Sequence, residues 1–230
     1  MGTLFIVATP IGNLEDITFR AVRILSEVDL IAAEDTRTTK ILLNKYQINT
    51  ELTSYHKFNI KAKTPKLIEL IKQGQNIALV SDSGMPAISD PGYELVRNAV
   101  GAGIKVEPIP GASAAISALA VSGLPTERFV FEGFLPKKPG KKRKVLRSLQ
   151  DDPRTIIIYE SPFRLVKTLV EVKEILGDRE VAVCREMTKK FEEIIRGKAG
   201  DVLEKISDKK VRGEIVLVVS GQVTQRERNS

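Results

Sequence analysis

Three short runs of almost unbroken apolar residues constrain this chain most: Ile77-Ala78-Leu79-Val80, Ile156-Ile157-Ile158 and Ile215-Val216-Leu217-Val218-Val219. Each is strand length, and an apolar residue at every position suits a strand covered on both faces. Between such runs lie segments with helical spacing, as in Ile17, Ala21, Ile24, Leu25 and Val28, which form one stripe. Strands that alternate with helices predict an α/β fold. Strands are expected at 4–8, 29–33, 77–81 and 105–109, then at 129–133, 155–159, 180–184, 192–196 and 214–219. Thr64-Pro65, Asp90-Pro91 and Ser161-Pro162 each place a capping oxygen before a proline and predict helix starts. Gly74 is the expected stop of the first of these helices. A turn-rich stretch at 122–126 follows a small-residue helix at 112–120. It divides the chain into an N-terminal α/β domain, 1–120, and a C-terminal α/β domain, 121–230. The polar tail 222–230 is expected to fray.

At 230 residues and 42% apolar, the chain can bury a real core without staples. A single cysteine, Cys184, excludes a disulfide framework, and a single histidine, His56, disfavours a metal site built on histidine. No apolar run approaches the roughly 18 residues of a membrane span, and no signal peptide is visible. A cytoplasmic location is expected, with no membrane partner. Neither Cys184, at the end of an apolar strand, nor His56, in a loop, reads as a nucleophile or base. With no Ser-His-Asp constellation either, the pattern favours group transfer from a reactive cofactor over hydrolysis.

The net charge of +7 sits in one place. Residues 1–120 carry 12 basic and 12 acidic residues; residues 121–230 carry 24 and 17, a difference of 7. Lys137, Lys138, Lys141, Lys142, Arg143, Lys144 and Arg147 follow one another without an intervening acid. Such a run is either a solvated helix face or a contact for phosphates, which gains from counterion release.

Five loops follow predicted strands, where open α/β sheets bind ligands. The first, Ala8-Thr9-Pro10-Ile11-Gly12-Asn13, has neither Rossmann nor P-loop glycine spacing. In the second, Glu34-Asp35-Thr36-Arg37, Asp35 or Thr36 either starts a helix through Tyr46 or belongs to a charged site. The third, 81–92, is too long for a minimal turn, which points to a functional loop. The fourth, Pro110-Gly111-Ala112-Ser113-Ala114, allows a ligand close to the backbone of a helix start. The fifth set, Glu160-Ser161-Pro162-Phe163-Arg164 and Arg185-Glu186-Met187-Thr188-Lys189, places both charge signs at strand ends in the second half; ion pairs of purely structural role are the alternative.

Taken in this order, these strings and Gly133-Phe134-Leu135-Pro136 resemble the tetrapyrrole methylase superfamily, over about 4–221. Within it they are similar to the branch that acts on bacterial 16S ribosomal RNA. Thr9-Pro10-Ile11-Gly12-Asn13 and Gly84-Met85-Pro86 depart from the glycine-rich loops of porphyrin-modifying members, which argues against a tetrapyrrole-like, small anionic ring substrate. The resemblance implies two α/β domains with a cleft between them for S-adenosylmethionine, and transfer of its methyl group to the 2′-oxygen of a cytidine ribose. The cytidine would lie in the decoding region of 16S rRNA in the small ribosomal subunit. A homodimer is implied, and no DNA partner.

By position the resemblance assigns Pro10, Gly12, Gly84, Met85, Pro86, Ile88, Ser113 and Ala114 to the cofactor. Tyr159, Cys184, Glu214 and Ile215 would join them largely through backbone groups. Candidates for base or for cationic orientation are Asp35, Glu34, Arg37, Arg185 and Lys189, in no settled rank. Asn13, Phe134 and the basic run would meet the RNA, the run carrying more of that contact because the small C-terminal helical region common in this branch is not expected in a chain ending at Ser230.

Overall fold

The computed structural model describes residues 1–207 and 211–222. The expected frayed tail therefore lies, beyond Gln222, outside the described residues. The chain divides into two compact units, Met1–Ser113 and Ala114–Ser230.

The first unit is built from β1 (Thr3–Val7), α1 (Phe19–Glu27), β2 (Leu30–Ala33), α2 (Thr36–Lys45), β3 (Leu52–Ser54), α3 (Ile60–Lys72), β4 (Ile77–Val80), α4 (Tyr93–Gly101) and β5 (Lys105–Ile109). Its sheet runs β3-β2-β4-β1-β5, and every pairing is parallel. Alternation along each strand feeds two cores. Ile77 and Leu79 of β4 meet Leu67, Ile71 and Leu95 of α3 and α4. Ala78 and Val80 meet Ala21, Ile24, Leu25 and Leu43 of α1 and α2 on the other face. Both faces are covered, which is why the strands read as continuous apolar runs. Thr18 caps α1, its hydroxyl accepting the Ala21 N–H at 3.1 Å.

The second unit contains α5 (Ala114–Ser122), β6 (Phe129–Phe134), α6 (Pro139–Ser148), β7 (Thr155–Glu160), α7 (Leu165–Leu176), β8 (Glu180–Arg185), β9 (Glu193–Lys198), α8 (Ala199–Ser207) and β10 (Ile215–Val219). The sheet order is β6-β7-β10-β8-β9. Only β6 and β7 are parallel; β10 inserts antiparallel between β7 and β8. Ile215, Leu217 and Val219 pack under α6, α7 and α8, while Val216 and Val218 pack under α5.

Several expectations need correction. The division falls at 113/114 and not at 120/121, because Ala115, Ala118 and Leu119 of α5 pack on Ile157, Ala182 and Val218 of the second sheet. The three proline dipeptides do not start helices. α3 begins at Ile60, with Pro65 inside it. Proline there removes a single ladder bond, and buried Thr64 instead shares a hydrogen bond with the Tyr55 hydroxyl at 2.8 Å. α4 starts at Tyr93, after Gly92 with φ +148°. The Ser161 carbonyl accepts from the N–H groups of Arg164 and Leu165, so one turn precedes α7. Strand β3 was not expected at all. It is three half-buried residues, Leu-Thr-Ser, too short for a periodic signal. Gly74 does stop α3, at φ +104°, a conformation that glycine adopts without a Cβ penalty.

Candidate functional site

In the first unit the loops after β1, β2 and β4 meet at the C-terminal edge of the sheet. Thr9 and Gly84 exchange two backbone hydrogen bonds, N–H to O at 2.9 and 3.1 Å, and the Thr9 hydroxyl donates to the Ser81 carbonyl at 3.1 Å. Pro10 and Ile11 are buried beneath this bridge, while Gly12 and Asn13 are exposed. Asn13 caps the short helical turn at 14–16, its side chain accepting the Glu15 N–H at 3.1 Å.

The loop 81–92 bends unusually often. Gly84, Ala87, Ser89 and Gly92 all have positive φ, at 78°, 69°, 65° and 148°. For alanine and serine that conformation is strained, and such strain gathers at ligand clamps. A Cβ on Gly84 would reach to 3.5 Å from Ile11 and 3.6 Å from the Ala112 carbonyl, and one on Gly111 would crowd Ala8 at 2.9 Å. Gly84 and Pro86 are buried and Met85 half-buried in this loop, with Ile88 half exposed at its rim. Close-approaching backbone and one exposed aliphatic fit a nucleoside cofactor held by main-chain groups. Of the residues expected for S-adenosylmethionine in this unit, Pro10, Gly84 and Pro86 are buried, Met85 and Ser113 half-buried, and Gly12 and Ile88 exposed.

After β2, Asp35 caps α2. Its Oδ1 accepts the Arg37 N–H at 2.8 Å, and its carboxylate grips the Arg37 guanidinium at 3.0 and 2.6 Å. These bonds hold the Asp35 carboxyl down at about 2. Asp35 is a helix cap and the partner of an arginine, and so a poor proton acceptor. Glu34 differs. Burial and the nearby Asp82 carboxylate push its pKa above the usual range, although an Asp82 backbone hydrogen bond and Lys57 pull the other way. Asp82 in turn accepts the Asp35 N–H at 3.0 Å and is itself raised, chiefly by burial. Sequence reasoning missed Asp82. Its signal was its place, first residue but one after a fully buried strand. His56 is half-buried, held through its N–H by the Asn59 side chain at 2.9 Å.

In the second unit Tyr159 is half-buried and meets Phe131 and Phe134 edge to face, at 4.9 and 5.5 Å between ring centres. Cys184 is fully buried under α5, and burial pushes its thiol up to about 11, so it is no nucleophile. Ile215 points its side chain into the opposite core, which leaves only its backbone for a ligand. Arg185 pairs with Glu193 at 3.1 Å. Lys189 bridges Glu186 and Glu214 at 3.1 and 2.9 Å; burial alone would lower its pKa, but the two carboxylates raise it. Glu186 and Thr188 of this turn have positive φ, and a Cβ on Gly213 would collide with the Glu186 side chain at 2.3 Å. These two cations are therefore neutralised in place.

The basic run also divides. Lys142 points inward, 3% exposed, and pairs with buried Glu171 at 2.6 Å, so it offers nothing to a phosphate. Its position on the core face with Leu146 explains this: α6 must bury one stripe, and that stripe passes through 142. Arg143 pairs with Glu174 at 2.9 Å. Lys137, Lys138, Lys141, Lys144 and Arg147 are exposed and make no ion pair among the described residues.

The family model described as tetrapyrrole (corrin/porphyrin) methylases matches residues 3–203. Similar relatives bear the name ribosomal RNA small subunit methyltransferase I. One from Halalkalibacterium halodurans is 54% identical over 96% of this chain and 76% of its own length. One from Thermotoga maritima is 52% identical over 96% of this chain and its own whole length, and one from Bacillus subtilis is 52% identical. Among solved structures, cobalt precorrin-4 methyltransferase aligns with a TM-score of 0.70 at 19% identity, covering 95% of this chain and 94% of its own. Diphthine synthase aligns with 0.73 at 16% identity, covering 99% and 94%. Among the described residues no helix is long and apolar enough to cross a membrane, and no group of three metal-ligating side chains gathers.

Proposed function

The chain belongs to the tetrapyrrole (corrin/porphyrin) methylase family, and from that premise we propose that it methylates small-subunit ribosomal RNA, at the ribose 2′-oxygen of a cytidine, with S-adenosylmethionine as donor. The single observation that carries this reading is the identity of about half the residues with relatives named ribosomal RNA small subunit methyltransferase I. The five unpaired cations before and along α6 support an RNA partner.

When bound, S-adenosylmethionine supplies an electrophilic methyl group. The loop 84–88 and Ser113 would hold it in the first unit, and backbone groups of Tyr159, Cys184, Glu214 and Ile215, with Ala114, are its proposed contacts in the second. What remains for the chain is to orient the ribose and take the hydroxyl proton. Alignment of nucleophile and methyl accounts for several kcal/mol, on the order of the intramolecular advantage. Of the carboxylates, Glu34 is the proposed base. A weakly acidic carboxyl accepts a proton better than one held at about 2, and burial, with the Asp82 charge second to it, raises Glu34. Arg37, 89% exposed at its side chain, would orient a phosphate, and Asn13 would contact the ribose or base. Arg185 and Lys189 would act by fixing Glu193, Glu186 and Glu214.

The test is to incubate the protein with S-adenosylmethionine labelled in its methyl group, offering small ribosomal subunits that lack the modification, naked 16S rRNA and free tetrapyrrole anions. Label in the RNA of the subunit supports the reading. Label only in the small molecule would replace it.

A further inference from the structure

Phe163 and Phe134 are 94% and 60% exposed. Leaving a phenylalanine ring in water forfeits the gain of burying it, so two such rings at neighbouring strand ends need a reason. Phe134 ends β6, and Phe163 lies in the turn after β7. The two strands are parallel neighbours, with Phe134 opposite Tyr159. Both loops are braced from below. Arg164 donates to the Leu135 carbonyl at 2.9 Å and reaches Glu160 at 3.2 Å. Glu160, 2% exposed, also accepts the Ser161 N–H at 2.8 Å and the Thr168 hydroxyl at 2.6 Å. The Thr168 oxygen accepts from Lys142 at 3.1 Å, which ties the start of α6 to the same cluster. The exposed rings thus stand on rigid supports.

The charges around them are placed against the helix. No acid lies in the first turn of α6, while Lys138 is its cap residue and Lys141 sits in that turn. Cations there oppose the helix dipole, and Lys141, Lys144 and Arg147 at i, i+3 and i+6 repel one another. A partner with an anionic backbone and flat apolar faces relieves both costs at once. Unpaired RNA has both, whereas a duplex hides its base faces in the stack.

Resting on the RNA reading above, we propose that Phe134 and Phe163 form a stacking platform for unpaired nucleotides of the RNA substrate, with Lys137, Lys138 and Lys141 on the adjoining phosphates. The probe is a short single-stranded RNA carrying 2-aminopurine, whose fluorescence is quenched by stacking, titrated with the full chain over a range of salt concentrations. F163A and F134A are expected to weaken binding about tenfold each and to reduce the quench, with the salt slope unchanged and F163W restoring both. A K137A/K138A/K141A variant is expected to flatten the salt slope by about 2. If the phenylalanine variants bind and quench as the parent does while the lysine variant loses affinity, the platform is overturned and the RNA reading stands. If the unaltered chain neither binds this RNA nor methylates subunits, both fall.

Discussion

The Asp82 carboxylate accepts the backbone N–H of Asp35 at 3.0 Å, so the loop after β4 holds the loop after β2. Beside this contact lies Glu34, whose carboxyl is raised first by burial and then by the Asp82 charge. Asp82 sits close enough to raise Glu34, and Asp35, spent on Arg37 and on capping α2, cannot share the proton.

E34Q is therefore expected to slow methyl transfer about 10²–10⁴-fold, the usual worth of a general base, while the affinity for S-adenosylmethionine stays within a few-fold. D35N, which keeps an acceptor at the helix cap, is expected to leave most of the rate intact. Single-turnover rates and calorimetric cofactor titrations on both variants check this. A D35N loss as large as that of E34Q would move the base to Asp35.

The rate should also depend on pH in a definite direction. A base must be ionised, so activity falls as pH drops through the Glu34 pKa, which burial and Asp82 place above the ordinary 4.5. D82N keeps an oxygen for the Asp35 N–H but removes the charge. The acid limb is then expected at lower pH, and E34Q should abolish it. The pH profile of the single-turnover rate reads all three.

Most of the first unit and its loops were legible in the sequence because parallel strands covered on both faces leave continuous apolar runs. The loops that end them are rich in glycine, proline and short polar residues. What could not be read was how side chains share one another. Asp35 and Glu34 are adjacent in sequence and equal in charge, yet one caps a helix and the other faces a second carboxylate from 48 positions on, a pairing that only the sheet order creates. The basic run had the same defect. Seven cations without an acid between them read as one patch, although helical geometry turns Lys142 into the core, to a carboxylate 29 positions away. Proline misled at Asp90-Pro91 and Ser161-Pro162 because a cap and a preceding turn use the same residues, and at Thr64-Pro65 because α3 had already begun at Ile60.

The buried pair Lys142–Glu171 gives a stability prediction. K142A leaves an uncompensated carboxylate in the core of the second unit and is expected to cost about 3–5 kcal/mol. K142M/E171L, which removes both charges and keeps the volume, is expected to recover most of that. Urea denaturation of the three proteins decides it. Equal losses in the single and double variants would show that the ion pair itself, rather than the uncompensated carboxylate, is what matters.

Two glycines of positive φ, Gly92 in loop 81–92 and Gly74 after α3, should differ in a predictable order. A Cβ on Gly92 would lie 2.9 Å from Leu79 and 3.0 Å from Ala87, in a backbone with φ +148°. G92A is expected to lose about 2–4 kcal/mol from strain and overpacking together. G74A, at φ +104° with open space around it, is expected to lose only about 1 kcal/mol, the strain alone. Thermal melts of both variants test the order.

The most direct test of the account is the nucleoside itself. Small subunits lacking the modification are treated with the protein and S-adenosylmethionine, the 16S rRNA is digested, and the methylated nucleoside is identified by mass. The account predicts 2′-O-methylcytidine from the decoding region, present with the unaltered chain and nearly absent with E34Q. A methyl group on a base, or none on the RNA while a small anionic ring compound is methylated instead, would contradict it.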